Sequence, residues 1–198
     1  MILLSDIMNY LIREYELISY LEIGVAAGNT LNNVFCQTKD AVDPVKSVQE
    51  VNYVMTSDEF FKQLPKDKMY DLIFIDGLHT YEQVKIDFDN SVKHLSPNGF
   101  IVMDDTCPYS EELTSPVFRD GGWTGTVYKF MIDFAYSDID FEYNTVFTPH
   151  GHTIFHRGNR IIQLEGDISY DWNFFHPNKK AILNLISEEE FYTKYQKE

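Results

Sequence analysis

Tyr70-Asp71-Leu72-Ile73-Phe74-Ile75-Asp76 is the stretch that decides the fold. Four consecutive apolar residues follow Asp71, which marks a strand covered on both faces rather than one with a wet side. Residues 18–24 (ISYLEIG) and 100–104 (FIVMD) read the same way. Helical patterns lie between these runs. Residues 80–95 place Tyr81, Val84, Phe88, Val92 and Leu95 on one stripe. Ser57 can cap a helix through Leu64 that Pro65 ends. Alternating strands and helices predict an α/β fold with a doubly wound, mostly parallel sheet. Right-handed crossovers then put all strand carboxyl ends on one edge, where ligands bind.

The flanks are plainer. Residues 2–15 predict a leading helix, and 30–36 and 126–135 two more. Residues 40–43 and 51–55 predict short strands. Only seven residues separate Asp43 from Val51, too few for a crossover with a full helix, so a reduced connection is expected. Pro97-Asn98-Gly99 predicts a turn. Residues 141–148 and 152–157 predict a C-terminal antiparallel hairpin around Pro149-His150-Gly151, and Ser187 opens a final helix. The expected organisation is one domain over 1–198: a leading helix in 1–17, a substrate lid at 106–124 and a C-terminal extension at 160–198.

The 198 residues carry a net charge of −15. Such a field repels phosphate backbones and argues against a nucleic-acid partner, but it does not repel a cationic cofactor. Two cysteines, Cys36 and Cys107, form neither a CxxC nor a zinc-like spacing. No run approaches the roughly 20 apolar residues of a membrane span. Asp6, Arg13 and Glu14 interrupt residues 1–17, unlike a signal peptide. These features predict a cytoplasmic chain without a membrane partner. Oligomeric state is not readable, and a homo-oligomer stays open.

Candidate chemistry gathers at the strand ends. Glu22-Ile23-Gly24-Val25-Ala26-Ala27-Gly28 follows the first strand, and its glycines let backbone approach a ligand. A dinucleotide fingerprint would need glycine at 26 and 29, where Ala26 and Asn29 stand. A plain structural turn reads equally well. Asp43 is placed to accept from ribose hydroxyls, or is a solvated acid before Pro44. Asp58 could accept from an adenine amino group, or could cap a helix with Ser57. Asp76 and His79 follow one buried strand, and Asp104 and Asp105 the next. Strands lie about 4.8 Å apart, so three carboxylates and an imidazole converge. Oxygen ligands of this kind suit Mg²⁺, and His79 can act as a base near neutral pH.

Together YLEIGVAAG, AVDP, MTSDEFF, DLIFIDGLHTYEQV, PNGFIVMDD and GGWTGTVYKF resemble class I S-adenosylmethionine-dependent methyltransferases, over residues 18–130. The most similar subgroup in appearance is the small bacterial one related to sugar O-methyltransferases of macrolide and aminocoumarin biosynthesis. The resemblance implies a Rossmann-like methyltransferase fold, S-adenosylmethionine as cofactor, and a small-molecule or carbohydrate hydroxyl as acceptor. It implies cofactor contacts at Glu22, Gly24, Ala26, Gly28, Asp43, Asp58 and Asp76, and Mg²⁺ held by Asp76, Asp104 and Asp105. The family's base is an acid at the position of Leu78. That departure makes His79 the substitute here, acting with Asp76, while Tyr81 and Trp123 are expected to meet the acceptor.

Three rivals stand beside this expectation: a nicotinamide-dependent oxidoreductase, a non-catalytic nucleoside-binding relative and a metal-dependent hydrolase. His150, His152 and His156 share a strand face by even spacing. With no acidic partner evident in the sequence, they read as a polar face rather than a site.

Overall fold

The computed structural model describes residues 2–120, 122–158 and 164–197. Helix and strand alternate through its first half: α1 (Leu4–Tyr15), β1 (Ser19–Ile23), α2 (Asn29–Asn33), β2 (Thr38–Val42), α3 (Ser57–Gln63), β3 (Tyr70–Ile75), α4 (Tyr81–Lys93) and β4 (Leu95–Met103). A 3₁₀ turn at Glu111–Thr114 is followed by α5 (Val127–Tyr136), β5 (Phe141–Val146), β6 (His152–Arg157), α6 (Trp172–Ile182), β7 (Leu185–Ile186) and α7 (Glu188–Lys194).

The strands form one sheet in the order β2-β1-β3-β4-β6-β5-β7. β1 through β4 pair in parallel, β6 is antiparallel to both β4 and β5, and β7 lies parallel to β5. This is the predicted doubly wound sheet with its antiparallel hairpin. The order reverses between β1 and β3, and the crevice opens there.

Period-two alternation divides the buried residues between two faces. Leu21, Ile23, Ile73, Ile75, Ile101 and Phe155 pack toward α4, α5 and α6. Tyr20, Leu72, Phe74, Phe100, Val102 and Ile154 pack toward α1 and α7. Each fully buried side chain of this size contributes about 1.5–3 kcal/mol of transfer free energy. Among the described residues no helix is long and apolar enough to cross a membrane.

Several local expectations need correction. Residues 51–55 form no strand; a single parallel bridge joins Tyr53 to Val42. The connection is too short to carry the chain clear of β2. The Asn52 side chain also takes the Ala41 amide at 2.6 Å, a donor that a further strand would have engaged. Helix α2 stops at Asn33, where Val34 turns extended. Pro97-Asn98-Gly99 lies inside β4 as an irregularity: Tyr70 pairs with Leu95, but Leu72 pairs with Phe100. Thr56, not Ser57, caps α3, accepting from the Glu59 amide at 3.3 Å. Of the expected extension, residues 160–163 and 198 lie outside the described residues; α6, β7 and α7 fall within the remainder.

Candidate active site

Each strand tip extends its ladder by one residue. The Gly24 amide donates to Val42 O at 2.9 Å, Asp76 to Ile23 O at 2.8 Å and Asp104 to Ile75 O at 3.1 Å. Gly24, Asp76 and Asp104 therefore stand in a row on the carboxyl edge. They border a cavity of about 800 Å³. Only glycine fits at 24. Its φ is +84°, and a Cβ there would lie 2.1 Å from the Asp76 carbonyl oxygen.

One end of the cavity is shaped by backbone. Asp43 Oδ2 accepts from the Val25 and Ala26 amides at 2.8 and 3.1 Å, and Oδ1 accepts from Val45 at 2.7 Å. This carboxylate holds the turn after β1, and it also lines the cavity. Ala26 lines it too, with a left-handed φ of +44°. Because Thr56 does the capping, Ser57 and Asp58 are left to face the cavity from the start of α3.

The other end is shaped by charge. His79 Nδ1 lies 2.8 Å from Asp105 Oδ2, and its Nε2 lies 3.3 Å from Asp76 Oδ1. Its ring also stacks on Trp123, with centroids 5.0 Å apart and planes 13° from parallel. Trp123 is fixed in turn by donating from Nε1 to Ser115 O at 2.6 Å. Asp105, buried and left-handed at φ +62°, has His150 Nδ1 3.3 Å from its other oxygen. Asp104 Oδ1 receives the Asp105 amide at 2.7 Å and faces His152 Nδ1 at 2.8 Å.

These contacts separate the titrations. Burial works against a charged His79, but hydrogen bonds to Asp105 and Asp76 push it up to about 11, so it is an imidazolium at neutral pH. Burial alone would raise Asp105; hydrogen bonds from His150 and His79 instead hold it below the ordinary range. Asp76 is pushed up to about 7 by burial and by the nearby Asp104 and Asp105, against the His79 hydrogen bond. A carboxylate titrating near 7 can accept a proton at working pH and release it again.

Of the residues expected at the site, Gly24, Ala26, Asp43, Asp58, Asp76, His79, Asp104, Asp105 and Trp123 border the cavity. Three do not. Glu22 is buried under the opposite sheet face, accepting from the Tyr20 hydroxyl at 2.6 Å. Gly28 caps α2 in a left-handed conformation and packs on Val48. Tyr81 turns its hydroxyl to Asp133 of α5 and packs against Tyr170, because its place at the start of α4 faces the next helix rather than the strand tips. The expected metal set changes as well. Asp76, His79 and Asp105 bring ligand atoms within 4.8 Å of one another, while Asp104 is turned to His152. His150 and His152 do have acidic partners, contrary to the polar-face reading. Met103 pairs with Thr153 in the β4–β6 ladder, so the next residues outward are Asp104 and His152. Their even spacing was the available signal, and the antiparallel placement of β6 beside β4 was the missing step.

The pocket thus lies at the switch point of a mostly parallel sheet that ends in an antiparallel strand pair. Residues 21–106 match a family model described as a methyltransferase domain. Among solved structures it is similar to the S-adenosylhomocysteine-bound methyltransferase PaMTH1 of Podospora anserina. The identity is 17%, with 78% of each chain covered and a TM-score of 0.60. It is similar to the O-methyltransferase TomG of Streptomyces achromogenes, involved in tomaymycin synthesis and solved with S-adenosylmethionine (17% identity, 78% and 79% covered, TM-score 0.55). It also resembles MycE of the mycinamycin biosynthetic pathway, solved with Mg, S-adenosylhomocysteine and mycinamycin VI. There the identity is 16%, covering 81% of this chain and 49% of that one, with a TM-score of 0.51. No curated protein matches the sequence.

Proposed function

We propose that this protein transfers a methyl group from S-adenosylmethionine to a hydroxyl of a small molecule or sugar. The observation that carries this reading is the pocket's division. A backbone-shaped end at Gly24, Asp43 and Asp58 suits a nucleoside with its amino-acid tail. A charged end at Asp76, His79 and Asp105 suits an ionising hydroxyl. Bound S-adenosylmethionine supplies an electrophilic methyl carbon on a sulfonium sulfur. Glycine at 24 lets that end of the ligand lie against the strand tips, and Asp43 keeps the turn in shape around it.

The acceptor oxygen forms the new bond to carbon as the carbon–sulfur bond breaks, and its electron pair stays on sulfur. The acceptor proton goes to Asp76, which titrates near 7. His79 holds Asp76 in place and stays cationic between two carboxylates. In this arrangement His79 works through Asp76 rather than as the base itself. Alignment of oxygen, carbon and sulfur is worth several kcal/mol, and Trp123, stacked on His79 at the cavity, serves in this reading to exclude water.

The donors also fit a divalent ion. With the His79 ring deprotonated, its imidazole and the carboxylates of Asp76 and Asp105 would hold one, which would supply Lewis acidity at the acceptor oxygen. Calorimetric titration tests the cofactor reading. S-adenosylhomocysteine should bind and NADH should not; NADH binding in its place would sink the proposal.

A further inference from the structure

Asp87 sits on the inner face of α4, buried to 1% exposure, and the chemistry proposed above makes no use of it. No lysine or arginine pairs with it among the described residues. Its hydrogen-bond partners are Ser57 and Gln83. Gln83 Nε2 lies 3.1 Å from Asp87 Oδ1, 3.3 Å from Asp58 Oδ1 and 3.3 Å from Ser57 Oγ.

This crowding fixes the amide. An ionised carboxylate only accepts hydrogen bonds, so with two carboxylates facing one end of Gln83, that end must be the NH₂ group. The opposite orientation would set the amide oxygen against two anions in a partly desolvated site, a costly arrangement. Asp87 cannot turn to water for relief. The Gln83 oxygen is therefore directed away from both acids, and no hydrogen bond among the described residues engages it. Gln83 lines the cavity beside Ser57 and Asp58, at the end assigned above to the nucleoside.

We infer that Gln83, locked in one amide orientation by Asp58 and Asp87, uses Oε1 to read the 6-amino group of a bound purine and so selects adenine over a 6-oxo purine. The inference rests on the cofactor reading above. A 6-amino group donates to Oε1. A 6-oxo group presents a second acceptor to it, leaving both desolvated and unpaired, and sites built this way discriminate strongly. Asp87 is a positioning residue: it touches Gln83 and not the ligand.

The test is calorimetric titration with S-adenosylhomocysteine and with its deaminated analogue, S-inosylhomocysteine. Wild type should favour the adenine form by about tenfold or more. Gln83→Leu should bring the two affinities within about threefold, chiefly by weakening the adenine form. Asp87→Asn can donate as well as accept, so it frees the amide to turn and should lower the ratio without abolishing binding. The ratio is taken within one protein, so a general loss of stability does not imitate the effect. Gln83→Met replaces the leucine variant if that one fails to fold. A ratio unchanged in the variants overturns the inference. Equal affinities in wild type overturn it while leaving the cofactor reading intact. Failure of wild type to bind either nucleoside brings down both.

Discussion

The two ends of the pocket keep their shape by different means. At the turn after β1, one carboxylate collects three backbone amides, and a single glycine lets two strand tips approach. At the tips of β3 and β4, shape comes from side-chain charge: His79 between Asp76 and Asp105, His150 on the far side of Asp105, and His152 on Asp104. The first end is set by backbone, through Asp43 on the amides of Val25, Ala26 and Val45 and through Gly24 against the Asp76 carbonyl. The second joins residues up to 76 positions apart, from Asp76 to His152. The first should therefore fail sterically and at any pH, the second electrostatically.

Four experiments press on this contrast, from the largest expected effect to the smallest. Gly24→Ala should cost about 4 kcal/mol or more, since the new methyl collides with rigid backbone in a left-handed conformation. Denaturant melts would check it, and a loss under about 1 kcal/mol would show that the tips can part. Asp105→Asn strands two histidines beside a neutral amide and should cost about 3 kcal/mol, as breaking buried ion pairs does. It should also lower the His79 titration, read by NMR.

Glu22 sharpens the comparison from beneath the sheet. Burial pushes its carboxyl up to about 7. Above the unfolded value of 4.5, the unfolded chain loses this proton while the folded chain keeps it, so stability falls as pH rises toward 7. The loss should reach about 2–3 kcal/mol, and Glu22→Gln should remove it in melts at pH 5 and 8. The mildest change is Trp123→Leu, which removes the stacking partner of His79 without touching its ion pairs. It should lower turnover about tenfold while leaving S-adenosylhomocysteine affinity within about twofold.

The same contrast explains what could be read from the chain alone. Asp76, Asp104 and Asp105 were legible because each follows an apolar run, and a buried strand must end where polarity returns. Asp43 and Gly24 were legible by their places after the first two strands, though Asp43 turned out to hold backbone. Tyr81 was misplaced because one residue on a helix is a rotation of 100°, and a loop of uncertain length precedes it. Glu22 was misplaced by a simpler cause: it lies inside β1 with its side chain bonded to Tyr20 beneath the sheet, while the strand tip at Ile23 and Gly24 reaches the cavity. His150 and His152 stood out by their spacing, but their acidic partners did not, because these depend on which strand β6 lies beside, a tertiary fact with no local signature.

The packing of α7 against α1 bears on how the chain matures. Phe191 and Tyr195 are buried at 0% and 2% exposure, and the Tyr10 hydroxyl donates to Tyr192 O at 3.0 Å. One whole side of the sheet thus waits for a helix near residue 190 before it is fully covered. During translation, at some 5–20 residues per second, Tyr20, Leu72 and Phe100 emerge long before that helix does. The nascent chain then shows a sticky flank to solvent for several seconds, an interval in which a chaperone would find something to hold.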